Sequence, residues 1–338
     1  MTEKNYGGAN SFGMKDKNVK NKHGAAEVKV VDKKEKAEIE LSEMSDKEIK
    51  SYMKAGEISK ELDVFIHGIV KKDVLLLEIA DKIEDKIIEL GGKIAFPTNL
   101  SIDENAAHYT PIIGDTTKAS GLLKVDYGVE VEGFIADRAI SLDLTDDKRH
   151  SDMIKLNEWA LESALNELKI GSPVKIIGNT ISSIVQKDGR FKVITNLSGH
   201  GLDEDNIHPG LTVSNLKNEN NYELKDVAIA IEPFLTAGKG EIYEGKPSEI
   251  YVVSEERLPR DRDARKLLEF ITNNYRTKPF CKRWLAKAGL TKFNFALSLL
   301  IKERILYNFP ILIEKDKKPV SQAEHTVIFA DKVWVTTK

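Results

Sequence analysis

One stretch, residues 122–144 with the sequence LLKVDYGVEVEGFIADRAISLDL, constrains this chain more than any other. It reads as an apolar β-hairpin turning tightly at VEVEG, yet it carries two carboxylates, Asp126 and Asp137. The two acids are eleven positions apart, so a tight turn places them directly or diagonally opposite on one face of the ladder; a bulge at Gly133 would reverse that parity. Like charges facing each other destabilise by roughly 0.2–1 kcal/mol when exposed, and by more when buried. A divalent cation would reverse the sign. The plain alternative, one aspartate on the solvent face and one in a turn, stays open at this point.

Further ligand types appear downstream. SGHGLDEDNIHPG supplies His200 and His208, the first between two glycines that allow close backbone approach. IAIEPFLT ends an apolar strand on Glu232, just before a proline, and QAEHTVIF places Glu324 at the start of the last strand. A single acid in such a place is usually a satisfied polar residue. Four carboxylates and a histidine in β contexts are an oxygen-rich donor set suited to Mn, Fe, Co or Zn, and numerous enough to bridge two ions.

The motifs AAHYTP, VDYGVEVEGFIAD, GHGL with IHPG, IEPF and QAEHT, in this order, resemble the methionine aminopeptidases of type 2 in their archaeal form, from about residue 48 to the C-terminus. The resemblance implies an α/β pita-bread fold, two related halves around a dinuclear metal site. It implies Asp126, Asp137, His200, Glu232 and Glu324 as ligands of two divalent ions (Co, Mn, Fe or Zn), with Asp137 and Glu324 bridging. Also implied are His208 on the scissile carbonyl, His108 on the backbone beyond it, and Glu232 as proton acceptor. Removal of an N-terminal methionine before a small second residue would follow, by hydroxide held between the ions, and Phe96 in AFPT is the candidate wall for the methionine side chain. Tyr127 and Arg138 depart from the family pattern, and Gly201 and the DEDN stretch before His208 match it only loosely; strand alternation directs Arg138 away from the acids. Rival readings are a prolidase of the same fold, against which QAEHT argues, and a non-enzymatic relative that has lost its ligands, against which all five ligands argue.

The remaining organisation is read from pattern. Residues 1–45 are rich in Lys, Glu, Asp, Asn and Gly and are expected to be a disordered tail of solvated charge, with docking to the ribosome as the alternative. Ser45 before Glu48 resembles a capping box opening a helix, and DVLLLEIADKIEDKIIELGG repeats the apolar period to a glycine pair. MIKLNEWALESALNELKI and VKIIGNTISSIVQKDG read as two further helices; FKVITNLSGHG and DVAIAIEPFLT read as single strands. Helix pairs leading into strands thus occur twice, which suggests a pseudo-duplicated α/β (α+β) fold over 46–257 and 319–338. Residues 258–318, almost wholly helical to about 308, resemble an inserted winged-helix module.

Composition limits the partners. A net charge of −3 over 338 residues, 31% of them charged, points to no polyanion, so no specific nucleic acid is expected. Apolar runs such as VLLLEIA are too short to span a bilayer and the polar start lacks a signal-peptide core, so a cytoplasmic protein without a membrane partner is expected. The resemblance favours a monomer acting on the N-termini of nascent polypeptides. The single cysteine, Cys281, lies in KPFCKRW with no histidine beside it and reads as a structural thiol.

Overall fold

The computed structural model describes residues 43–338. The tail expected over residues 1–45 falls almost wholly outside them.

Order begins at a helix because its first turn is chemically closed. Ser45 Oγ accepts the Glu48 N–H at 3.3 Å while the Ser45 N–H donates to Glu48 Oε2 at 2.6 Å, a complete capping box. The helix, α1 (Asp46–Ile69), buries Tyr52, Ala55, Ile58, Leu62 and Ile66 at three- and four-residue spacing. Next, α2 (Leu76–Glu89) buries Leu76, Ile79, Ala80, Ile83 and Ile87 in the same way. Both lie on a three-stranded antiparallel sheet ordered β1-β3-β4, built from β1 (Lys93–Ile102), β3 (Leu122–Val131) and β4 (Phe134–Asp143). The short β2 (Asn105–Ala107) leaves this sheet and pairs elsewhere. Full burial of each large aliphatic residue stabilises by about 1.5–3 kcal/mol, so this core is the main apolar contribution to the first half.

The second half repeats the scheme. Helices α3 (Ser151–Glu167) and α4 (Lys175–Asp188) share one core with a five-stranded sheet and a separate three-stranded one. Between and after them come β5 (Ser172–Pro173), β6 (Lys192–Val193), β7 (Ser198–Leu202), β8 (Thr212–Ser214), β9 (Glu223–Leu224), β10 (Val227–Ile231) and β11 (Phe234–Thr236). The chain continues through β12 (Ile242–Val253), α5 (Arg262–Tyr275), β13 (Phe280–Cys281), α6 (Lys282–Lys287), α7 (Asn294–Lys302) and β14 (Leu306–Glu314). It ends in β15 (Val320–Gln322), β16 (His325–Phe329) and β17 (Val333–Val335), and the five-stranded order is β17-β16-β10-β7-β8. Phe96, Phe134 and Ile135 from the first sheet pack with Leu202, Ala230 and Ile328 from the second, so the two halves share a core.

Three sequence expectations need correction. FKVITNLSGHG is two strands, β6 and β7, in different sheets, because the intervening Thr195 N–H bonds the Gly240 carbonyl rather than a ladder neighbour. DVAIAIEPFLT also divides, into β10 and β11, at Glu232-Pro233: proline has no N–H to continue the ladder, and the chain changes sheet there. In the helical segment, strand β14 starts at Leu306, within the run read as helix, immediately after Arg304 adopts a left-handed backbone (φ 60°). Helices α5–α7 have their own core of Leu267, Ile271, Phe280, Trp284, Leu297 and Leu300. Cys281 is buried in it, and burial pushes its thiol up to about 12, which makes it inert.

Candidate metal centre

The hairpin turns at Glu132-Gly133, both with positive φ (53° and 91°), so the ladder closes without a bulge. Asp126 lies opposite Ala139 and Asp137 opposite Gly128, which makes the two aspartates diagonal neighbours on one face. Their neighbours Tyr127 and Arg138, a directly opposed pair, occupy the other face. There Asp63 of α1 accepts the Tyr127 hydroxyl at 2.7 Å and the Arg138 guanidinium at 2.8 and 3.0 Å, while Arg138 also reaches the Glu324 carbonyl. Arg138 therefore points away from the acids.

The second half brings the other groups to the same place. His200 Nε2 lies 3.6 Å from Asp137 Oδ2 and 3.7 Å from Glu232 Oε1. One donor atom each of Asp137, His200 and Glu324 lie within 4.8 Å of one another, all three residues buried. The Gln322 amide donates to Asp126 Oδ2 at 3.2 Å and to Glu232 Oε2 at 3.4 Å, bridging acids from opposite halves. Glu232 sits at the corner between β10 and β11, and the same proline that breaks the strand places it there. Thr326 Oγ1 accepts the Asp137 N–H at 2.7 Å and donates to its carbonyl at 2.9 Å, fixing β4 against β16. Gly199 serves this packing too: a Cβ there would stand 2.2 Å from the Ala230 carbonyl, so the close approach is to β10.

Electrostatically the cluster is unbalanced. Among the described residues no lysine or arginine is ion-paired to any of the four carboxylates, and Asp126 Oδ1 is buried without a hydrogen-bond partner. Burial lifts Asp126 from 3.8 to about 7. It raises Asp137, Glu232 and Glu324 well above the usual range, and repulsion among the acids adds to this. His200 and His108 are each lowered by burial to about 4 and are neutral at physiological pH. The His200 Nδ1 lies 2.9 Å from the Gly201 carbonyl and the His108 Nδ1 3.1 Å from that of Pro310. A carbonyl can only accept, so in both neutral rings Nδ1 carries the proton and Nε2 keeps its lone pair. An unpartnered buried carboxylate oxygen, four mutually repelling acids and an imidazole aimed lone pair first match divalent metal ions and little else.

The linkage to pH has a definite sign. These acids ionise near 4 in the unfolded chain and at higher pH when folded, so their neutral forms stabilise the metal-free protein fully below about 4, and that stabilisation is lost as pH rises through about 7 and above. We expect the difference in Tm between protein with saturating Co and chelator-treated protein to widen from pH 5 to pH 8 in thermal melts. A constant difference would contradict the charge imbalance.

The remaining candidates lie around the cluster. His208 lines its open side, with its ring 4.3 Å centroid to centroid from His200. Solvent reaches it, yet the protein crowds it on most sides; that desolvation first, then His200 and His108, holds it well below the usual histidine pKa. His108 adopts a left-handed backbone (φ 67°) and meets the edge of Phe309 at 5.3 Å. Phe96 packs over Gly128, where a Cβ would stand 2.4 Å from its ring, and is only 8% exposed, which leaves little of it for a ligand. Gln322, Thr326 and Phe309 escaped the sequence reading. Gln322, two positions before Glu324, was within reach of strand alternation, whereas Thr326 and Phe309 matter through partners distant in sequence.

Comparison with known proteins follows the same outline. Residues 50–257 match the model of metallopeptidase family M24. A methionine aminopeptidase of Pyrococcus abyssi is 39% identical over 297 residues, covering 86% of this chain and all of the relative. Among solved structures, a thermophilic Arx1 superposes with a TM-score of 0.74 at 14% identity, covering 86% of this chain and 91% of its own. A methionine aminopeptidase from Thermotoga maritima gives 0.62 at 18%, covering 87% and 98%. At such identities the two structures speak for the fold alone.

Proposed function

Since the chain belongs to metallopeptidase family M24 and, within it, to the methionine aminopeptidases, we propose that Asp126, Asp137, His200, Glu232 and Glu324 would hold its divalent metal. Its architecture of two α/β halves is the pita-bread fold, and its reaction is hydrolytic removal of an N-terminal methionine. The observation that carries the site assignment is the buried, uncompensated carboxylate cluster around His200. Bound divalent ions (Mn, Fe, Co or Zn) would offset its charge, acidify a water and polarise a carbonyl.

The chain's own groups account for the rest. His108, neutral and protonated on Nδ1 by virtue of Pro310, offers Nε2 as an acceptor, which suits the amide N–H beyond the scissile bond. His208, exposed beside His200, can donate to the carbonyl oxygen as charge develops on it. Glu232, held by Gln322, can take a proton and return it to the leaving amine. Phe309 beside His108 offers apolar surface to the methionine side chain, with Phe96 contributing little because it is almost fully buried. The helical segment 258–318 we read as an insertion of the type 2 kind. We further read the protein as a cytoplasmic monomer that acts on the N-termini of nascent chains; among the described residues no helix is long and apolar enough to cross a membrane.

The test is hydrolysis of Met-Gly-Met-Met by metal-stripped protein, before and after addition of Mn or Co, beside peptides with Ala or Pro second. Free methionine should appear only with metal. Two bound ions without release would favour prolidase-like substrates, and no bound ion a scaffold. His208→Ala is expected to lower kcat by at least about 10²-fold, the range for loss of one oxyanion donor, with metal content unchanged. Equal loss of both would assign His208 to the metal instead.

A further inference from the structure

The turn that leads to His208 is held in part by the helical segment. Asp203 and Asn206 close it, with the Asp203 N–H on the Asn206 carbonyl at 2.9 Å, and the His208 N–H bonds Asn206 Oδ1 at 3.1 Å. At its apex Asp205 takes a left-handed backbone (φ 53°), and its N–H donates to the Gly133 carbonyl at 2.8 Å, tying the turn to the tip of the hairpin that carries Asp126 and Asp137. Asp205 faces three consecutive residues that follow α5, two of them through its side chain and one through its main-chain carbonyl. Lys278 Nζ lies 3.0 Å from its Oδ1, Arg276 pairs with its Oδ2, and the Thr277 hydroxyl donates to its carbonyl. Lys278 also pairs with Glu130, whose Oε1 accepts the Gly133 N–H at 3.2 Å. Lys278 and Glu130 are both buried.

Little else restrains this turn. Ile207 is its single buried apolar anchor, while Asp203, Glu204, Asn206 and His208 are exposed. Burying charges is costly, and a charged cluster that contributes little to stability can still fix geometry. We propose that Asp205 is a positioning residue: through it, residues 276–278 set the His208 ring against His200, so that the helical segment takes part in assembling the active site. The inference rests on the reading of His208 as a substrate-contacting residue.

A double-mutant cycle tests it, on full-length, metal-loaded protein. Asp205→Asn keeps the left-handed backbone, which asparagine tolerates, and removes the charge. It should lower kcat by about 10- to 100-fold, as expected for an ångström-scale misplacement, with a smaller change in KM and metal content unaltered. In a His208→Ala background the same substitution should cost nothing further. Thr277→Val, which removes one hydroxyl, carries the same cycle should Asp205→Asn fail to fold. Equal losses in both backgrounds, or wild-type kcat in Asp205→Asn, would overturn this inference alone. Wild-type turnover in His208→Ala would overturn the reading of His208 and this inference with it.

Discussion

Asp137→Asn should abolish turnover and, at the same time, make the metal-free protein more stable. Loss of a group that only supports a metal ligand costs about 10- to 100-fold. Asp137 stands closer than that: its oxygen is 3.6 Å from His200 Nε2 and within reach of Glu324, at the centre of the cluster. A fall in kcat of at least about 10³, with reduced bound metal by elemental analysis, is therefore expected. Stability moves the other way because Asp137 and Asp126 raise each other's cost of ionising, and each repels Glu232 and Glu324. Removing one of four buried charges relieves all three partners. Each kcal/mol so recovered should raise the Tm of chelator-treated protein by about 2–4 °C at neutral pH. A lower Tm in the stripped variant would mean that Asp137 is structurally paired and not held ready for metal.

The second large effect is on stability and lies about the helical segment. Arg283 of α6 and Glu84 of α2 are both almost fully buried, 2% and 1% exposed. Arg283 Nη2 donates to Glu84 Oε1 at 2.7 Å and Nη1 to Asp81 at 2.8 Å, while the Trp284 indole donates to Glu84 Oε2 at 2.8 Å. Arg283→Met removes the cation and leaves the Glu84 carboxylate buried, which for such pairs costs about 3–5 kcal/mol. A drop in Tm on the order of 10 °C is expected from calorimetry. Adding Glu84→Leu should recover most of it, since an apolar pair avoids the desolvation of both charges. Glu84 Oε1 also accepts the Thr98 N–H at 3.3 Å, and a double variant no more stable than Arg283→Met would show that Glu84 is held by Trp284 and Thr98 independently of the arginine.

These two sites differ in how far they could be read without a structure. Asp137 was visible because a hairpin has period two and a turn of known length, so position along the chain translates directly into a face. Glu84 and Arg283 were not, since each is an ordinary charged residue on an amphipathic helix and their 199-residue separation carries no local signal. The same division holds for strands. The hairpin was legible; the splitting of residues 191–201 and 226–236 was not, because a strand's sheet depends on its neighbours.

By itself, then, the sequence determined what is local: the capping box at Ser45, the amphipathic periods of α1 to α4, the hairpin at Glu132-Gly133, and the ordered motifs that name the family. Tertiary structure decided what depends on partners far along the chain. It gave Tyr127 and Arg138 a common anchor in Asp63, used Pro233 to swing Glu232 across to Asp126 by way of Gln322, and set Asp205 against residues 276–278. The physical reason is range: backbone period and turn geometry act over a few residues, whereas burial of charge is settled only where the whole fold excludes water.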